Sequence, residues 1–172
     1  MELINNDDGT WTLSKVSELE HLMLSRLPDS ADSTGCEEAS NRLFPSPISP
    51  DANLDSGKKS SADSDWKEYI EPELRVEFRD SLKIVADDLG KVQIAKYEDV
   101  DCYEFNIPTA HADHWCSALN QARIVIHYSY NLPDEDGVLD MDPNPEKWMA
   151  TLQSEIYGML MEFLIKKVLW VA

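Results

Sequence analysis

Residues 144–170 carry more apolar surface than one helical face can hold. Asn144 suits a helix cap and Pro145 the first helical position, so the spacing predicts a helix to about Trp170. Between 156 and 170 the apolar residues fall on more than one face. That pattern marks the central helix of a bundle or an interface helix, not a surface helix with one buried stripe. It calls for other helices to cover it, or a partner to do so. Trp148, Met159, Met161, Phe163 and Trp170 are the candidate interface residues. The same stretch does not read as a membrane span. Ile156 to Val171 includes Glu162, Lys166 and Lys167, and it is too short and too charged.

Upstream segments supply candidate cover. A helix is expected from about Pro72 to Leu89, ended by Gly90, because Leu74, Phe78, Leu82, Val85 and Leu89 keep one buried face. Another is expected from Thr109 to about Tyr130. Ser14 is expected to cap a helix over about 15–27 with Val16, Leu19, Met23 and Leu27 buried, and Pro28 to end it. Thr34 and Glu37 have capping-box spacing for a short helix reaching Leu43. Strand signals are fewer. Residues 2–14 read as a hairpin turning at Asn6-Asp7-Asp8-Gly9. Segments 92–97 and 102–107 alternate with period two, and pair either with each other or with that hairpin. The fold expected is therefore mainly α, a helical bundle with a small antiparallel β-sheet or hairpins. One domain over 1–172 is expected, with a flexible Ser/Pro/Asp-rich loop at 45–66 and an acidic loop at 133–144.

Charge narrows the function classes. The chain of 172 residues has 33 acids against 15 bases, a net charge of −18. Its few basic residues form only isolated pairs, Lys58–Lys59 and Lys166–Lys167, so it repels phosphate backbones and nucleic acid is not an expected partner. Cys36, Cys102 and Cys116 form neither a CxxC nor an even disulfide set, which points to a reduced, cytoplasmic setting. The acidic, polar N-terminal residues do not read as a signal peptide.

The segment His111-Ala112-Asp113-His114-Trp115-Cys116 is the stretch most suggestive of chemistry. On a helix, His111 and His114 lie about 60° apart, whereas Cys116 lies about 140° from His111. His111 and His114 are the candidate metal ligands, but no further pair completes a zinc set, and no metal is expected. The plainer reading is a helix start, with Asp113 favouring the dipole and Cys116 a small core residue. No cysteine has the setting of an activated nucleophile. No catalytic residue and no cofactor is expected, since neither a nucleophile elbow nor a phosphate-cradling glycine loop is present. The acidic run Asp134–Asp142 fails as an EF-hand: with Gly137 sixth, Leu132 and Pro143 stand where ligands belong. Asn120 and Arg123 form a candidate polar pair, Arg123 being expected to pair with an acid on a neighbouring helix rather than to bind a ligand. A Val171-Ala172 tail suits recognition by unfoldase proteases, although a buried or frayed helix end is the favoured reading.

The stretch Trp115 to Ile126, WCSALNQARIVI, resembles the signature helix of an uncharacterised bacterial family, domain of unknown function number two-zero-one-seven. Members share a strand, then a W-x-x-x-L-N-x-x-R helix with aliphatics after the arginine. Arg42-Leu43-Phe44-Pro45 and Glu77-Phe78-Arg79 fall in the order that pattern implies, as do the N-terminal strand and helix. The departures are Gln121 in place of a usual Asp, His127-Tyr128 in place of Gly-Thr, and the loops at 45–66 and 133–144. The family carries no established activity. Its genes often lie near a Clp protease adaptor, which implies a regulatory or proteolysis-linked role. The expected function is non-catalytic regulation or adaptation by binding a protein partner, with a homodimer as one form. The alternative is an enzyme or ligand-binding protein using His111, His114 and Arg123.

Overall fold

The computed structural model describes residues 1–47, 56–133 and 144–169. The acidic run at 134–143, Trp170 and the Val171-Ala172 tail lie outside the described residues.

Four strands form one antiparallel sheet in the order β1-β2-β4-β3. Strands β1 (Glu2–Asn5) and β2 (Thr10–Val16) are the expected hairpin, turning through Asp7 and Gly9 at positive φ. Strand β4 (Val100–Pro108) pairs with β2 on one side and β3 (Gln93–Tyr97) on the other, so both expected pairings occur. The β2–β4 register places Leu13 opposite Phe105 but Val16 opposite Tyr103, which leaves one extra residue on β2. Lys15, at φ 54, absorbs it as a β-bulge. The bulge breaks the period-two rule, so Leu13 and Val16, three residues apart, are both fully buried.

Strand β2 therefore continues beyond the expected helix cap at Ser14. The cap is Ser17, which forms a full capping box with Glu20 and opens α1 (Glu18–Ser25). The later start rotates the stripe: Met23 and Leu24 are buried, while Leu19 is exposed. Leu27 begins a second short helix, α2 (Leu27–Ser30), with Pro28 in its first turn. Helix α3 (Glu37–Leu43) forms, but without the expected Thr34–Glu37 box; Cys36 holds the cap position, and the Thr34 hydroxyl bonds Asp32. Residues 56–66, expected as part of the loop at 45–66, are helical. Helix α4 (Ser56–Asp65) runs into a π-helical stretch, Trp66–Ile70, and then into α5 (Glu71–Leu89). On α5 Val85 and Leu89 are buried, whereas Phe78, expected in the core, is half-buried beside Phe44 at 5.3 Å.

The remaining helices are α6 (Ala112–Tyr130), led in by a 3-10 turn Thr109–His111, and α7 (Pro145–Leu164) with a π-helical extension Ile165–Leu169. Helix α6 is the centre of the fold. It packs against α2, α3, α5 and α7, and Trp115, Ala118, Leu119 and Ala122 are fully buried. The apolar excess of α7 thus does not make it the central helix. The architecture is mainly α with a small antiparallel sheet. No helix among the described residues is long and apolar enough to cross a membrane.

The β3–β4 turn allows a direct test of local strain. Glu98 and Asp99, at φ 49 and 67, occupy a two-residue turn that needs positive φ twice, and neither is the favoured residue type. The double change Glu98→Asn, Asp99→Gly should stabilise the protein by about 1 kcal/mol, seen as a higher midpoint in urea. A lower midpoint would show that the Glu98 and Asp99 side chains contribute more than the turn strain costs.

Candidate functional site

The HADHWC segment becomes chemically meaningful through a residue 23 positions upstream. Asp88 lies in the last turn of α5 and is 1% exposed. A carboxylate there faces the unfavourable end of the helix dipole and loses water. Three donors offset this. His111 donates Nδ1–H to Oδ2 at 2.8 Å, Trp115 donates Nε1–H to the same oxygen at 3.1 Å, and Lys91 donates Nζ–H to Oδ1 at 3.2 Å. An ionised carboxylate only accepts, so the hydrogens on these bonds belong to the donors. The spacing of four between His111 and Trp115 places both over one carboxylate.

His114 has a separate partner. Its Nδ1 lies 3.1 Å from the Oγ of Ser81, one of the buried polar residues of α5. The rings of His111 and His114 stand 6.4 Å apart at 70°. A nucleophile-activating relay needs hydroxyl, imidazole and acid in series. Here Ser81 meets one histidine and Asp88 the other, so the two halves are split across two rings. Among the described residues, no three His, Cys, Asp or Glu are placed to hold a metal. What the network does is bind the end of α5 to the start of α6. Sequence reading missed Asp88 and Ser81, although a signal was there: both share the helical face of Val85, at spacings of three and four.

Cys116 sits beside this network without joining it. Burial, reinforced by the charge of Asp113, pushes its thiol up to about 11. Against the ordinary 9.0, that leaves about a hundredfold less thiolate at neutral pH. In a Cys36→Ser, Cys102→Ser variant, Cys116 should react with a disulfide reagent at pH 7.5 about a hundred times more slowly than an unperturbed protein thiol. A rate matching free cysteine would mean the thiolate is solvated.

Arg123 lies elsewhere on α6 and packs against α7. A Cβ added to Gly158 would come within 3.2 Å of its Cζ, so the missing side chain leaves the guanidinium its place. The expected ion pair is not found among the described residues, and its Nε is buried without a hydrogen-bond partner. Asn120 is exposed. Gln121 is buried and donates Nε2–H to the Ser117 hydroxyl at 3.1 Å. A second tie, also missed, joins α7 to α1: Gln153 donates to the Tyr157 hydroxyl at 2.6 Å, which donates to the Met23 carbonyl at 2.7 Å. Burial holds the Tyr157 phenol above its ordinary range.

Of the candidate interface residues, Met159 is exposed, and Trp148, Met161 and Phe163 are half-buried. Helical spacing places Trp148, Leu152, Met159 and Phe163 on one flank of α7, with Met161 on the other, so they form no single patch. The buried face of α7, through Ile156, Tyr157, Leu160 and Leu164, lies between those flanks.

No curated protein and no solved structure matches this chain. A family model does, that described as Domain of unknown function (DUF2017), over residues 3–167. The match spans the sheet, the Asp88 network and both long C-terminal helices, and the chain belongs to the DUF2017 family.

Proposed function

We propose that this protein acts without catalysis, as a regulatory or adaptor-type protein of the cytoplasm that binds another protein through one flank of α7. The observation in favour is the second apolar stripe. Trp148, Leu152, Met159 and Phe163 recur at spacings of four, seven and four beside the buried face, and none is fully covered. Met159 is exposed and the other three are half-buried, and the uncovered parts of such a row cost free energy that a partner recovers by covering them. Met159 suits an adaptable contact. The net charge of −18 speeds the approach of a basic partner and argues against nucleic acid. A second copy of the chain is the other candidate occupant. The chemical groups that invite an enzymatic reading are largely spent on each other around Asp88, which further favours binding over catalysis. Arg123, with its unsatisfied Nε, is the observation that keeps a ligand role for the His111/His114/Arg123 region as a second reading.

The test is a photo-crosslinking side chain placed at Met159 in the full chain inside cells, with exposed Asp87 on α5 as control. A discrete adduct from 159 and none from 87 is expected, and its mass separates a homodimer from a second protein. Light scattering should show a Met159→Glu variant losing any self-association. No adduct, with a monomer at all concentrations, would overturn the proposal.

A further inference from the structure

A step in the sheet makes a hollow. Strand β3 begins at Gln93, opposite Glu104, while β4 runs on to Pro108. Past Glu104, β4 pairs with β2 alone among the described residues. The N–H groups of Lys91 and Val92, which precede β3, donate to the Asp88 and Leu89 carbonyls at the end of α5 instead. The hollow is about 210 Å³ and is lined by Thr12, Lys91, Gln93, Glu104, Phe105 and Asn106. Thr12, Glu104 and Asn106 alternate with the buried Leu13, Phe105 and Ile107, so they stand on the face of the sheet turned away from the core. Each polar group on the rim is aimed by one bond and keeps others unspent. Asn106 Oδ1 accepts from the Thr12 hydroxyl at 3.0 Å, which leaves both amide N–H groups of Asn106 to donate. One Glu104 oxygen accepts from the Tyr97 hydroxyl, and the second remains to accept another bond. Lys91 gives one N–H to Asp88 at 3.2 Å and has two more. Gln93 is exposed and adds a carboxamide that both donates and accepts.

We propose that this hollow binds a neutral polyhydroxylated ring such as a monosaccharide. A hydroxyl both donates and accepts, so a vicinal pair matches the lining: one donates to Glu104 and its neighbour accepts from Asn106. Further hydroxyls meet Gln93 and Lys91. Thr12, Tyr97 and Asp88 already hold Asn106, Glu104 and Lys91 in place, so binding has little side-chain order left to impose. Neutrality follows from the single carboxylate and single ammonium of the lining, and from the net charge of −18, which penalises an anion. The volume is below that of sites for drug-sized ligands, so one ring fits and a chain of rings does not. Few hydrogen bonds on an open rim place the affinity in the millimolar range. The site lies on the sheet and is independent of the α7 flank and of the protein-binding role proposed for it.

D-glucose and myo-inositol are the probes. Cyclohexanol, with one hydroxyl on the same size of ring, and glucuronate, an anion, are the controls. Each is titrated into the ¹⁵N-labelled full chain. The side-chain amide signals of Asn106 and Gln93 are assigned by their absence in Asn106→Ala and Gln93→Ala. At least one probe should move both signals in a saturable way and leave the Gln153 amide, held by Ser30 and Tyr157, in place. Cyclohexanol and glucuronate should bind more weakly. Asn106→Ala, followed through the Gln93 signal, should weaken probe binding about three- to tenfold, the usual effect of losing one neutral hydrogen bond. If that variant does not fold, Gln93→Ala replaces it, followed through Asn106, with a similar loss. The absence of a saturable shift with either probe overturns the proposal. So does cyclohexanol or glucuronate binding as tightly as the probes, or a variant that binds them unchanged.

Discussion

Trp115→Ala should cost about 3–5 kcal/mol of unfolding free energy, the range for deleting a large, fully buried aromatic. Trp115 is 0% exposed on α6, the helix that touches most other elements of the fold. Its removal leaves a cavity at the centre and takes one of three donors from Asp88. Both effects act in the same direction. The measurement is a urea or guanidinium titration followed by circular dichroism, since removing a tryptophan perturbs the fluorescence baseline. A loss below about 1 kcal/mol would mean that the α6 helix presents this face to water, and the packing described above would be wrong.

Asp88→Ala is expected to destabilise by about 3 kcal/mol, and the partners set that figure. Lys91, 65% exposed, and His111, 33% exposed, can be resolvated when the carboxylate is gone, so each contributes little to the loss. Trp115 cannot be resolvated. Its Nε1–H becomes a buried donor without an acceptor, which by itself costs about 1–3 kcal/mol. A double-mutant cycle isolates this part. In a Trp115→Phe background the donor is absent, so the cost of Asp88→Ala should fall by more than about 1 kcal/mol. Strict additivity of the two changes would remove the Asp88–Trp115 bond from the account of stability. The cycle also bears on function. If Asp88→Ala leaves the protein folded but weakened, any partner contact through α7 should survive, because the network joins α5 to α6 rather than shaping the α7 flank.

The family resemblance and most of the helices were legible in the chain because they depend on local physics. The spacing of Leu74, Phe78, Leu82, Val85 and Leu89 follows from the helical repeat, and α5 forms over Glu71–Leu89. Asn144 and Pro145 begin α7 for reasons confined to one turn. The Trp115, Leu119, Asn120 and Arg123 pattern pointed to the family that matches residues 3–167. The signal failed where two capping residues compete. Ser14 and Ser17 both offer a capping hydroxyl, but only Ser17 has a Glu three residues on to complete a capping box, and the pairing of Val16 with Tyr103 keeps Ser14 within the strand. The polar run 56–65 is a helix despite a composition that reads as loop. An apolar helical repeat is absent there, so nothing local announced it.

Local sequence determined most of the segments that form helices or strands, the 56–65 helix excepted, and which side chains need cover. It could not determine which helix supplies the cover, because burial depends on what arrives from elsewhere in the chain. The apolar excess of α7 was plain, yet α6, with small Ala118 and Ala122 between large neighbours, became the centre because helices can approach it closely on several sides. The polar groups follow the same division. His111, His114, Ser81 and Asp88 were all visible as residue types, and helical geometry fixed the spacing of each pair on its own helix. Only the packing of α5 on α6 assigned Asp88 to His111 and Ser81 to His114. A hydrogen bond is decided by ångströms between elements that the sequence separates by 23 and 33 residues. That assignment makes His111 and His114 part of a side-chain tie between two helices.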